Sequence, residues 1–349
     1  MQDSLEQDRR WYILGPGAIG CLWASLLTQA GAEVVLIGKS GASVMINLHY
    51  RPDVSLQKGT GRSLAPGEYR MLRSSADALG SNKKQISQML IATKAQDANS
   101  ALGAVVEHLS PNATVISLCN GIGFHESLAR KLMARHPQRR FFVAVSSEAA
   151  MLEAPLSVLH TGRGITRVGQ YAGKTENIGI HQHTDKLLNL LHLPAQLGIH
   201  CEYDADINRA VLQKAFINCV INPLTALLRC RNGELLSNAG HNARFAALCS
   251  ELQPLYDAMY NQQQPAPAKQ AIQHDKKPFD LKQSASKVAQ VTAANQSSML
   301  KDRLAGRQLE LEALNIYIEK AARDLEMPCP LNSALIQKLL HEPPCVKRI

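Results

Sequence analysis

Two textures of hydrophobic patterning divide the chain. Up to about residue 170, short apolar runs alternate with helical stretches. WYIL at 11–14 reads as a strand, 18–29 as a helix closed by Gly31, and 33–37 as a second strand. QMLIAT at 88–93, TVISL at 114–118 and RFFVAV at 140–145 are further strands. Each is a short apolar run that closes in polar residues, the pattern of a parallel strand buried on both faces. Residues 160–170 read as one more strand after a hairpin. From about residue 205 the strand signals stop and helical spacing dominates. Residues 206–221 form a helix, and Asn222-Pro223 either kinks it or starts the next, since Asn caps well and Pro suits a first helical position. The polar, proline-broken stretch 261–286 reads as a loop or a poor helix end, 308–325 as a helix holding Glu310, and the tail HEPPCVKRI as frayed. The expectation is an α/β N-terminal domain with a mostly parallel doubly wound sheet over 1–205, followed by an all-α domain over 206–349.

Composition narrows the functional classes. At 349 residues and 45% hydrophobic content, two globular cores are the default. No contiguous apolar run approaches the ~20 residues of a membrane span. The polar start MQDSLEQDRRW lacks the apolar core of a signal peptide, so a cytoplasmic location is expected. The eight cysteines form no C-x-x-C pair and read as reduced, buried thiols. His181 and His183 form a lone H-x-H that reads as surface, and no metal site is expected. The net charge of +9 is dispersed in short pairs such as Lys83-Lys84, Arg139-Arg140 and Lys276-Lys277. With aromatics at 5%, a nucleic-acid stacking surface is disfavoured, whereas small anionic ligands suit a modest positive bias. The expected partner is a small molecule; a homodimer is left open.

The strongest local motif is Gly15-Pro16-Gly17-Ala18-Ile19-Gly20, a G-x-G-x-x-G between a strand and a helix. In that setting the first glycine permits a tight turn, the second lets a pyrophosphate approach the backbone, and the third lets helix and strand pack closely. Phosphate would sit at the helix N-terminus. An NAD site wants an acid at the end of the second strand; here Ile37-Gly38-Lys39-Ser40 offers a cation and a hydroxyl instead, which suits the extra phosphate of NADP. Lys94 and Asn120, just beyond the ends of later strands, are candidates to touch cofactor or substrate.

A second motif lies in QKAFINCVINPLTAL at 213–227. Lys214, Asn218 and Asn222 fall at i, i+4 and i+8 and so share one face of an otherwise apolar helix. One ammonium and two amides in a single line are unusual on a helix that is otherwise apolar enough to be buried.

Together GPGAIG, TKAQ at 93–96, NGIG at 120–123, the Lys-x-x-x-Asn-x-x-x-Asn-Pro segment running on through RNGEL, SSML at 297–300 and the stretch bearing Glu310 resemble the ketopantoate reductase (2-dehydropantoate 2-reductase) family over nearly the whole chain. The resemblance implies a Rossmann domain, an all-helical domain, substrate between them, and NADPH-dependent reduction of 2-dehydropantoate to pantoate. It puts the catalytic lysine on Lys214 and the acidic residue on Glu310. Substrate-holding residues fall on Asn218, Asn222, Asn232 and Ser298, cofactor-side residues on Lys94 and Asn120, and the 2′-phosphate cation on Lys39. One departure is Glu148, in a loop where the family carries small or hydroxyl residues; its carboxylate either enters the site and repels an anion or points away. The alternatives are a reductase of another small 2-oxo acid and a non-catalytic NADP-binding protein.

Overall fold

The computed structural model describes residues 10–53, 56, 66–80, 86–171, 199–263 and 278–341. The expectations for the H-x-H pair, for Lys83-Lys84 and Lys276-Lys277, for residues 264–277 and for the tail after His341 lie outside them. By contacts the chain forms two compact units: residues 1–120 with 124–208, and residues 121–123 with 209–349.

The first unit is built on one eleven-stranded sheet. Its strands are β1 (Arg10–Leu14), β2 (Glu33–Gly38), β3 (Val44–Pro52), β4 (Gly67–Ser75), β5 (Ile86–Ile91), β6 (Leu109–Ser117), β7 (Arg140–Ser146), β8 (Ala149–Ala154), β9 (Ser157–Gly162), β10 (Ile165–Gln170) and β11 (His200–Tyr203), in the order β11-β10-β7-β6-β5-β1-β2-β4-β3-β9-β8. Seven of the ten pairings are parallel. Helices α1 (Ala18–Gln29), α2 (Ala95–Val105) and α3 (His125–Met133) make the crossovers. From β1 the chain moves one way to β2 and the other way to β5, so right-handed crossovers put α1 on one face and α2 and α3 on the other. That reversal leaves the crevice beyond the carboxyl ends of β1 and β5 where ligands of open α/β sheets bind.

The central strands are apolar because both their faces are covered. Residues 11–14 of β1 and 34–38 of β2 are buried without a break. Helix α1 has eight consecutive buried residues, Gly20 to Leu27, since it lies on the sheet and also meets the β8–β9 hairpin. Its hydroxyls are satisfied internally, Ser25 Oγ donating to the Cys21 carbonyl at 3.0 Å and Thr28 Oγ1 to the Ala24 carbonyl at 2.8 Å.

The stretch 160–170 is not one strand. Gly162, Arg163 and Gly164 break it into the end of β9, which pairs with β3 and β8, and β10, which pairs with β7 and β11. A Cβ on Gly164 would fall 2.3 Å from Ser147 Oγ, so the break is held by close backbone approach. The same turn accounts for Glu148. Its side chain is 1% exposed, Oε1 accepts from the Gly164 N–H at 2.9 Å, and Oε2 lies 2.6 Å from His160 Nε2. His160 Nδ1 in turn bonds the Tyr50 hydroxyl at 3.0 Å. Both carboxylate oxygens are engaged within the sheet, tying the end of β7 to β9 and β3. Glu148 is a buried tie and not a loose charge.

The basic pair Arg139-Arg140 is also partly structural. Arg139 is 5% exposed, and its guanidinium donates to the carbonyls of Leu109, Ser110 and Leu132 at 2.7–3.1 Å. The seven described cysteines are free thiols, six of them buried.

The second unit contains α4 (Ile207–Leu228), α5 (Glu234–Ser237), α6 (Ala239–Gln263), α7 (Leu281–Val291), α8 (Ser298–Leu304), α9 (Asn315–Asp324) and α10 (Pro330–His341). Three expectations need correction. Of the stretch 261–286, expected as a loop or poor helix end, residues 261–263 complete α6 and 281–286 open α7, which Asp280 caps by accepting from the Gln283 N–H at 2.7 Å. Helix α4 does not end at Asn222-Pro223 but runs through the proline to Leu228. Buried Cys219, Val220, Ile221, Leu224 and Ala226 hold both sides of that position in the core, and the Cys219 carbonyl takes a hydrogen bond from Asn315 Nδ2 at 2.9 Å. Third, 308–325 is helical only from Asn315. The preceding residues stay out of the helix because Leu311 and Leu314 are buried and the Ala313 carbonyl accepts from the Ile122 N–H at 2.8 Å. By length and composition α4 would suffice to cross a membrane, with a mean hydropathy of 1.4 in its most apolar stretch, a feature that inspection of contiguous runs missed. Here its apolar residues, from Leu212 to Ala226, belong to this unit's hydrophobic core.

Breaking the Glu148 tie should be costly. Glu148→Ala leaves the Gly164 N–H without its partner and His160 Nε2 with only the Gly162 carbonyl, 3.0 Å away. A loss of about 3 kcal/mol is expected, read as a lower midpoint in urea unfolding; an unchanged midpoint would show that the tie carries no stability.

Candidate active site

In the first unit the three glycines of the turn differ in what surrounds them. Gly15 adopts φ +108°, and a Cβ there would come within 2.9 Å of the Ala92 carbonyl oxygen. A Cβ on Gly20 would fall 1.9 Å from the Gly15 carbonyl oxygen, so the third glycine is fixed by helix–turn packing. Gly17 is different: it caps α1 in an extended conformation, and nothing lies within 4 Å of where its Cβ would be. The N–H groups of Ala18, Ile19 and Gly20 have no partners one turn back in the helix, and no acid stands in the first turn. Free N–H groups at a helix start with no acid beside them favour an anionic group such as a phosphate.

At the end of β2 there is no carboxylate. Lys39 is exposed, its side chain 86% accessible, with Asp97 Oδ1 3.4 Å from Nζ. A second cation lies here that the sequence reading did not find. Arg73, on β4, has its guanidinium 3.5–3.6 Å from where a Cβ on Gly38 would stand, and Pro16 lies 3.7 Å from the same point. Its charge also pulls down the Cys21 thiol, although burial dominates and raises that thiol to about 12. Among the described residues Arg73 has no hydrogen bond or ion pair. The signal was missed because β4 was not recognised as the neighbour of β2. Lys94 stands at the N-cap of α2, beyond β5, and Asn120 follows β6. Both are partly buried.

In the second unit α4 carries the polar stripe. Lys214, Asn218 and Asn222 are each half-buried, between fully buried Ala215, Phe216, Cys219 and Val220. The side-chain amides of Asn218 and Asn222 have no hydrogen-bond partner among the described residues. Burial lowers the Lys214 amine to about 8, and the carboxylate of Glu310 partly offsets this by favouring the charged form. Glu310 is therefore close enough to act on Lys214. Its near neighbour Glu312 is exposed, with Lys320 Nζ 3.5 Å away.

The other expected site residues divide by role. Asn232 is 7% exposed; its Nδ2 donates to Thr292 Oγ1 at 2.8 Å, while Oδ1 has no partner among the described residues. Ser298 is exposed at the first position of α8. Ser297 beside it is structural: its hydroxyl caps α8 by accepting from the Leu300 N–H and lies 2.7 Å from Thr225 Oγ1. In NGIG the glycines serve packing, since a Cβ on Gly121 would meet the Ala313 carbonyl at 2.6 Å and one on Gly123 the Tyr317 ring at 2.2 Å. Among the described residues no group of three His, Cys, Asp or Glu side chains could hold a metal ion.

A glycine turn on a mostly parallel sheet, in a chain that also carries a helical unit with a half-buried lysine and open amides, is the layout of a nicotinamide-dependent oxidoreductase. Comparison with known sequences places the chain within that class. Family models described as ketopantoate reductase PanE/ApbA and its C-terminal part match residues 11–173 and 206–342. The chain belongs to the ketopantoate reductase family. A curated relative, the 2-dehydropantoate 2-reductase of Vibrio cholerae, is 27% identical over 94% of this chain and 95% of its own. Two solved structures share the fold. The PanE/ApbA family ketopantoate reductase from Ralstonia eutropha JMP134 is 23% identical with a TM-score of 0.71, covering 95% of this chain and 97% of its own. A D-mandelate dehydrogenase solved with NADH and anilino(oxo)acetate is 17% identical with a TM-score of 0.74 and the same coverage.

The Lys214 value gives a pH dependence with a definite sign. An amine lowered to about 8 is charged below that pH and neutral above it. If it acts as the acid, kcat/KM for carbonyl reduction falls as pH rises through about 8; a profile flat through pH 9.5 would exclude this role.

Proposed function

We propose that the protein is an NADPH-dependent 2-dehydropantoate 2-reductase, converting 2-dehydropantoate (ketopantoate) to pantoate on the route to pantothenate and coenzyme A. The reading is supported most by one observation: a lysine lowered to about 8 shares a helix face with two open amides, with an opposing carboxylate within electrostatic reach. Residues 1–205 are the NADP-binding domain and 206–349 the substrate domain. The seven free cysteines suit a reducing, cytoplasmic setting.

The roles follow from side-chain chemistry. Bound NADPH supplies the hydride. Lys214 faces the substrate carbonyl oxygen, stabilises the charge developing there and gives it a proton. Asn218 and Asn222 hold the carboxylate and hydroxyl by hydrogen bonds without adding charge. Asn232 Oδ1 and Ser298 bind the far end of the substrate, with Asn120 at its cofactor side. Glu310 accepts from the substrate hydroxyl and keeps Lys214 protonated below its pKa. Gly15, Pro16, Gly17, Ala18, Ile19 and Gly20 cradle the pyrophosphate, Lys94 and Asn120 flank the cofactor, and Lys39 with Arg73 receives the 2′-phosphate.

A different 2-oxo acid rested on Glu148 entering the site, and its engagement with His160 and Gly164 removes that support. A non-catalytic NADP binder would have no use for a stripe that leaves a lysine and two amides half-buried.

Purified protein should oxidise NADPH with 2-dehydropantoate, followed by loss of nicotinamide absorbance, and do so poorly with NADH. NADPH binding without turnover would overturn the substrate assignment. Lys214→Ala should lower kcat by about 10²–10⁴-fold with NADPH affinity retained. Lys39→Ala and Arg73→Ala should each weaken NADPH far more than NADH in direct titrations; equal losses for the two cofactors would rule out 2′-phosphate recognition by that side chain.

A further inference from the structure

Pro223 creates a specific deficit in α4. In an α-helix the N–H of residue i bonds the carbonyl of i−4. Proline has no N–H, so the Cys219 carbonyl loses its regular partner. Cys219 is fully buried, where water cannot easily substitute. The missing hydrogen comes from outside the helix: Asn315 Nδ2 donates to the Cys219 carbonyl oxygen at 2.9 Å.

The position of this bond matters. Cys219 lies between Asn218 and Asn222 in sequence, at the middle of the polar stripe. Asn315 is the first residue of α9 and stands five residues after Glu310. The residues between are held by short backbone bonds, Leu314 N–H to Leu311 O at 3.1 Å and Ile316 N–H to Leu311 O at 2.9 Å. One hydrogen bond therefore joins the backbone of the Lys214 helix to the stretch bearing Glu310.

Asn315 is itself held in one orientation. It is 0% exposed, and its second amide hydrogen goes to Asn332 Oδ1 at 2.8 Å. Asn332 returns a bond from Nδ2 to the Asn315 carbonyl at 3.1 Å, and its own N–H donates to Glu251 Oε1 at 2.8 Å. Both hydrogens of Asn315 are used, while its buried Oδ1 has no partner among the described residues. A flipped amide would set that oxygen against two other oxygens, so the donor orientation is the one the surroundings accept.

We propose that Asn315 is the positioning residue of the active site: by supplying the hydrogen that Pro223 withholds from the Cys219 carbonyl, it fixes the Lys214–Asn218–Asn222 helix against the Glu310 segment. The functional half of this proposal rests on the reductase reading; the hydrogen-bond half does not.

The test is a double-mutant cycle. Asn315→Leu removes both donors at similar volume, and Pro223→Ala returns the native N–H to the Cys219 carbonyl. Asn315→Leu should lower kcat about tenfold, the scale of one buried polar group left unpaired, with NADPH affinity within about twofold since no cofactor contact is touched. In the Pro223→Ala background the same change should lower kcat less than about threefold, because the carbonyl is already satisfied. Urea unfolding run on the same four proteins should show the same non-additivity. Asn332→Leu, which leaves the Cys219 bond in place, should show no rescue by Pro223→Ala.

Equal kcat losses in both backgrounds, or an Asn315→Leu enzyme with wild-type kcat, would overturn the proposal. If Asn315→Leu alone fails to fold, the double variant should fold, and its failure would overturn the proposal equally. Should the wild-type protein lack turnover with 2-dehydropantoate, the reductase reading falls. The Lys214 titration midpoint, followed by NMR of the labelled amine, then replaces kcat: it should move by about half a pH unit or more in Asn315→Leu and return in the double variant. An unmoved midpoint would overturn the positioning role.

Discussion

An ammonium group set among apolar side chains is costly to keep charged, and the organisation of the helical unit answers that cost. Lys214 sits on a helix whose other faces are packed by Phe216, Val220 and Leu224. Desolvation shifts its equilibrium toward the neutral amine, and Glu310 pulls it partway back. A second cation in the stripe would push the lysine further toward neutrality, and a second carboxylate would repel an anionic substrate. Amides at the next two turns, Asn218 and Asn222, bring neither effect, although that residue type has poor helix propensity. The balance depends on the distance from α4 to the Glu310 segment, and so on how both are anchored.

What could be read from the sequence was what local chemistry dictates. The turn Gly15–Gly20 and the strands around it were legible because central parallel strands are buried on both sides and appear as unbroken apolar runs. The stripe on α4 was legible because three polar residues at fourfold spacing stand out against apolar neighbours. Strands β3 and β4 were not, because β3 is half exposed, with His49 and Arg51 alternating with buried Leu48 and Tyr50. Such alternation is weak without its pairing partner, and Arg73 was lost with the strand that carries it.

Two helix boundaries failed for a different reason. Leu309-Glu310-Leu311-Glu312-Ala313-Leu314 has strong helical composition, yet its backbone is committed to a distant N–H at Ile122. Asn222-Pro223 has the composition of a helix start, yet Asn315, ninety-odd residues away, compensates for the proline. In both cases a single long-range hydrogen bond overrides local propensity, and no window along the chain could have contained both partners. Glu148 was ambiguous for the same reason, since the histidine and the amide that occupy it come from a turn that read as continuous strand.

The thiols carry a separate consequence. Burial raises Cys21, Cys201 and Cys249 to about 12, Cys230 to about 11 and Cys219 well above its ordinary value. At neutral pH almost none of these sulfurs is a thiolate, the form that reacts with alkylating agents or peroxide. They are distributed over both compact units, Cys21 and Cys201 in one, Cys219, Cys230 and Cys249 in the other. The buried sulfurs of Cys21 in one unit and of Cys219, Cys230 and Cys249 in the other are thereby shielded from such reagents while the core around them stays closed, whereas partly exposed Cys201 is protected by its raised pKa alone.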